Sequence, residues 1–192
     1  MTEPITITLG VPRERGAEAA RLMPIGAVCA IVDWPLAPDD CETTLMPELA
    51  RRLVRALAAC GHVAFRYDEP DTSFALYAPP LPPLGGRLVE SVRNLLGSGS
   101  DHCGVAVTAS AQGAERLFDY GGWSYAQQAA LAFDPASDPT PIIAAVRADL
   151  DWRDRALPAA ARLLFGPGHD GAFAVLAAAD VEWLRRFEAA LA

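Results

Sequence analysis

The chain has 192 residues, 52% of them hydrophobic, and a formal charge of −8 from 24 acidic residues against 16 basic ones, all of the latter arginine. Without lysine it has no side-chain amine for a Schiff base, a pyridoxal-phosphate anchor or a P-loop phosphate contact. The acidic excess repels nucleic-acid backbones and anionic lipid headgroups, so nucleic acid and membrane are excluded as expected partners and a basic protein is favoured.

This length and apolar content suffice for one substantial core without staples, and residues 1–192 read as a single α+β domain. The four cysteines, Cys29, Cys41, Cys60 and Cys103, form no CxxC pair and have no histidine at zinc-site spacing. Cys29 lies in the apolar run 25–32 and reads as inert core. The N-terminus Met1-Thr2-Glu3-Pro4 lacks the features of a signal peptide, and no apolar stretch reaches the ~18 residues of a membrane span. A cytoplasmic location with reduced thiols is therefore expected.

In chain order, Ile5 to Leu9 alternates as a short strand and Glu14 to Leu22 follows as a short helix that Pro24 closes. Ile25 to Val32 is apolar on both faces, the pattern of an interior strand. Leu45, Leu49, Leu53 and Leu57 recur at i, i+4 and predict an amphipathic helix, with Thr43 or Thr44 as cap, Pro47 in its first turn and Gly61 past its end. Strand, helix and strand from Ile25 to Tyr67 predict a β-α-β unit with its two strands as parallel neighbours. Val63–Tyr67 and Phe74–Tyr77 flank a turn-rich segment and suggest a hairpin, hence a mixed sheet of about five or six strands with packed helices. Pro79 to Pro83 is a stiff connector, and 79–86 is where a division into lobes would fall.

A helix follows Gly85-Gly86, with Leu88, Val92, Leu95 and Leu96 as its stripe, and Val105 to Thr108 reads as a buried strand. From Ala111 onward the alanine-rich content reads as helical, broken at Gly121-Gly122 and at 135–139. Thr140-Pro141 opens a helix to Leu150; a short helix is expected at 159–165, a strand at 172–176 and a last helix capped by Asp180. Val181, Leu184, Phe187 and Leu191 give that last helix one apolar face.

No GxxxxGK[ST], GxSxG or HExxH pattern occurs. The arginines are spread along the chain rather than gathered into a nucleic-acid-binding stripe. Two surfaces stand out. Asp33, Asp39, Asp40 and Glu42 follow the Ile25 strand, where open sheets tend to bind ligands. These acids also suit the N-terminus of the next helix, whose dipole favours them. Tyr120, Trp123 and Tyr125 form an aromatic cluster mixed with polar residues, as recognition surfaces do.

The leading reading is a non-enzymatic accessory or neutralising (immunity-like) protein that binds another, basic protein through these two surfaces, with no cofactor. One alternative is a small-molecule enzyme holding a divalent metal at Asp33, Asp39, Asp40 and Glu42, with His62 or His169 as acid or base. Another is a homo-oligomeric structural subunit joined through its alanine-rich helices. A Cys103 nucleophile with His62 or His169 as base and Asp170 as orienting carboxylate can also be composed, though such sets occur in almost any sequence of this length.

Overall fold

Interior strands buried on both faces, matched by one-sided burial on the last helix, give a layered α+β architecture in a computed structural model of the chain. It describes residues 5–10, 16–33, 47–68, 103–115, 129–148, 152–167 and 173–192. The elements are β1 (Thr6–Leu9), α1 (Gly16–Ala20), β2 (Val28–Asp33), α2 (Pro47–Ala58), β3 (His62–Asp68), β4 (Cys103–Thr108), β5 (Ala130–Phe133), α3 (Thr140–Ala148), β6 (Ala161–Pro167), β7 (Phe173–Ala178) and α4 (Val181–Leu191). A further helical segment at 111–115 follows β4. None of the described helices is long and apolar enough to cross a membrane.

One sheet takes all seven strands in the order β1-β2-β7-β6-β5-β3-β4, and every neighbouring pair is antiparallel. This corrects the expected mixed sheet of five or six strands. The strand-helix-strand unit from β2 to β3 exists, but its strands are not neighbours. They run in the same direction with β7, β6 and β5 between them, so α2 carries the chain across the sheet. The β2 sequence is apolar on both faces as a parallel strand would be, yet the cause here is helices on both sides of an antiparallel sheet.

On one face α2 and α4 pack over Ala30, Val32, Val63, Phe65, Leu163, Phe165 and Leu176. Alanines at 130, 132, 174 and 178 on the same face let the helices approach closely. Leu53, Val54 and Leu57 of α2 meet Leu184, Phe187 and Leu191 of α4 there, as the helical periodicity predicted. On the opposite face α3 brings Ile142, Ile143 and Val146 onto Ala64, Val107, Leu131, Phe133 and Leu164. Ala19 and Leu22 cover Ile31, Phe173 and Val175 beside them.

Two segments read as helical are strands. Ala130-Leu131-Ala132-Phe133 has the composition of a helix, but all four residues are buried between two helix layers and pair with β3 and β6. Tertiary burial overrides the alanine propensity. The expected helix at 159–165 is β6, whose Leu163, Leu164 and Phe165 bury alternate faces of the sheet. The Val63 strand pairs with β4 and β5, while its expected partner Phe74–Tyr77, the 79–86 connector and the helix after Gly86 lie outside the described residues.

Polar caps start the helices that follow strands. Asp180 accepts from the N–H groups of Glu182 and Trp183 at 2.9 and 3.3 Å, as expected. Ser110 Oγ accepts from Gly113 N–H at 3.0 Å in the same role after β4. Ahead of α3, Asp138 rather than Thr140 does this: its Oδ1 accepts the Thr140 N–H at 2.9 Å, and that bond holds the Asp138 carboxyl below its usual range.

Two positions test the packing. Gly61, between α2 and β3, has φ +155°, and a Cβ there would sit 2.2 Å from Phe133 O. Gly61→Ala is therefore expected to lower unfolding free energy by more than ~1 kcal/mol, read from urea denaturation. Trp152 is 1% exposed, and its indole N–H has no partner among the described residues. Trp152→Phe should then stay within ~1.5 kcal/mol of the parent, whereas Trp152→Ala should lose about 3–5 kcal/mol.

Candidate functional site

The register fixes which residues share an end of the sheet. Asp33 pairs with Thr6 on one side and Phe173 on the other, Asp68 pairs with Cys103, and Pro167 pairs with Ala174. These positions mark one end. The opposite end carries Leu9, Val28, Ala178, Ala161, Phe133, His62 and Thr108. Five steps along β2 separate the two ends, about 17 Å at strand rise.

Asp33 terminates β2 at the first end and is half-buried. The other residues of the two expected surfaces, Asp39, Asp40, Glu42, Tyr120, Trp123 and Tyr125, lie outside the described residues. Their points of attachment do not. Segment 34–46 leaves from Asp33, and 116–128 leads into β5 from the same side of the sheet. Segments 69–102 and 168–172 each join two strands at that end, and 1–4 leads into β1 there.

Charge divides along the same line. The described residues hold eleven arginines and eleven acids and are formally neutral, so the whole −8 belongs to the remaining segments. The five segments attached at the Asp33 end hold ten acids and three arginines, a net of −7; segments 11–15 and 149–151 hold three acids and two arginines, the remaining −1. The described frame is thus electrically balanced, and the acidic excess belongs to segments outside it, most of which join the frame at the Asp33 end.

The histidine and cysteine combinations separate. His62 opens β3 opposite Phe133, with the two rings edge to face at 5.8 Å, and so sits at the far end from both Asp33 and Cys103. Six strand steps, about 20 Å, lie between His62 and the level of Cys103. This removes His62 as base to Cys103 and as acid or base beside a metal held at Asp33. His169 and Asp170 lie outside the described residues. Among the described residues no three His, Cys, Asp or Glu side chains converge as metal ligands.

The far end holds a side-chain cluster the sequence reading missed. The β5–β6 register shifts between Ala132 and Phe133, leaving Arg162 as the extra residue of a bulge. Its guanidinium donates to Cys60 O at 3.0 Å, lies 3.3 Å from Asp134 Oδ1, and stacks 4.4 Å from the centre of the Trp183 ring. Arg186 stands over the same ring at 5.5 Å and donates from Nε to Ala59 O at 2.8 Å. Trp183 and Arg186 lie three apart on α4, a visible i, i+3 pair, whereas Arg162 reaches them only through the fold. The guanidinium donors go to carbonyls ending α2, so the cluster serves as a helix C-cap.

Cys29 and Cys60 are free and buried, as inert core thiols are. Burial raises the Cys29 thiol above its ordinary range, and it lifts the Cys60 thiol to about 11 against a weaker downward pull from Arg186 and Arg162. Above pH 9 the unfolded chain releases the Cys60 proton while the folded chain retains it, so the folded state loses ground. Stability attributable to Cys60 should be flat below pH 9 and fall as pH rises from 9 to about 11. Denaturation across that range checks the sign, with Cys60→Ala making the slope shallower and leaving the part that the raised Cys29 thiol contributes.

Comparison with known protein families, with curated proteins and with solved structures found no match to this chain.

Proposed function

We propose that the protein acts in the cytoplasm as a non-enzymatic accessory or neutralising partner, binding a basic protein at the Asp33 end of its sheet. The observation that carries this reading is the tethering of a net −7 to one end of a neutral frame. Charge of one sign gathered on one side of a molecule steers an oppositely charged partner and speeds encounter. The aromatic segment containing Tyr120, Trp123 and Tyr125 leads into β5 from that side and supplies the apolar anchors that charge alone does not provide.

Capture from native cytoplasm with tagged protein should recover a stoichiometric basic partner, identified by mass spectrometry. Binding should weaken several-fold as ionic strength rises toward ~1 M, where screening shortens to about 3 Å. Asp39→Lys with Asp40→Lys and Trp123→Ala should release the partner while leaving the melting temperature unchanged. Undiminished binding by that triple variant refutes the assignment.

A further inference from the structure

β1 stands at one edge of the sheet, and among the described residues no strand pairs with its outer side. The Gly10 N–H donates to Cys29 O at 2.9 Å, which sets the hydrogen-bonding phase of β1 on β2. Alternate residues Thr6, Thr8 and Gly10 therefore turn their main-chain groups toward β2, and Ile7 and Leu9 turn theirs outward. Sheet edges are ordinarily guarded by charge, proline or a bulge. Thr6-Ile7-Thr8-Leu9 has no charge and no proline, and its register on β2 is regular.

Exposed apolar side chains gather at the same corner. Leu9 is 65% exposed, Ile25 62% and Val28 36%, the large hydrophobic residues most open to solvent among those described. Leu9 pairs with Ala30, two residues along from Val28, so both lie on one face. Ile25 tops the turn into β2, where Ala27 N–H donates to Pro24 O at 3.3 Å and Gly26 takes φ +76°.

We propose that this edge is a self-interface, β1 of one copy pairing antiparallel with β1 of a second copy of the chain. The distribution of charge selects this occupant. A chain of net −8 resists self-association wherever its acids meet, yet the β1 edge is uncharged and the acidic excess is tethered at the Asp33 end. Antiparallel pairing sends the two acidic ends to opposite poles of the joined sheet. With Ile7 opposite its own copy, the outward main-chain groups of Ile5, Ile7 and Leu9 meet their equivalents, and each Leu9 lies across from Ile5 of the second copy. Such an interface is isologous, as a two-fold dimer requires. It does not depend on the basic-partner reading, since it uses another part of the frame.

Light scattering on the full-length protein after size exclusion should give twice the chain mass of 20.4 kDa. Leu9→Pro removes an outward N–H that pairs with no strand among the described residues, and should halve the mass at unchanged melting temperature. Leu9→Asp, which leaves the backbone intact and sets an ionised carboxylate against the apolar Ile5 of the second copy, should do the same if the proline variant folds poorly. Wild type at the chain mass overturns the proposal, including the case in which the edge instead takes a strand from a different protein. A dimer or larger assembly that folded Leu9→Asp leaves intact overturns it equally.

Discussion

The carbonyl end of α2 is where the helix layer is fastened to the sheet. Arg162, set out of register by a bulge in β6, and Arg186 of α4 donate to the successive carbonyls of Cys60 and Ala59 and flank the Trp183 ring. A reciprocal bond runs the other way: Arg52 of α2 donates to Leu191 O at the end of α4 at 2.8 Å. Each helix therefore supplies the cation that satisfies the other's orphan carbonyls, which suits the macrodipoles of two antiparallel helices. Gly61 lets the chain turn from this junction straight into β3 against the Phe133 carbonyl. With α2 held in this way, the crossover from β2 to β3 spans three intervening strands while keeping the apolar faces of α2 and α4 together.

That arrangement gives the two ends of the sheet different characters. The end with Arg162, Asp134 and Trp183 uses its charged groups internally, on helix carbonyls and a stacked ring. At the Asp33 end the strands lead into segments that carry most of the acidic excess, while the frame beneath them is neutral. Antiparallel pairing through β1 would preserve this division, because the edge strand belongs to the neutral frame.

Much of the frame was legible in the sequence wherever one periodicity dominated. The leucines of α2, the apolar face of α4 with its Asp180 cap, the doubly apolar β2 and the Val105 strand all occur where the pattern placed them. Helix propensity misled where alanine sits in a strand. Ala130 and Ala132 are small because helices press close to the sheet, a requirement visible only once the layers are known. Strand order was illegible for a similar reason: a strand-helix-strand sequence does not state how many strands the helix crosses. For the candidate site, the residue types at Asp33 to Glu42 and Tyr120 to Tyr125 could be read directly. Their attachment to one side of the frame required the register, as did the distance that separates His62 from Asp33 and Cys103.

The central claim is that recognition belongs to the acidic end of a neutral frame. Hydrogen–deuterium exchange on the protein alone and in complex with the proposed basic partner tests it most directly, because exchange reports on every backbone segment at once. New protection is expected in peptides covering 34–46 and 116–128, with the Arg162, Trp183 and Arg186 end unchanged. Protection confined to the Arg162 end, with the acidic segments exchanging as in the free protein, would contradict it.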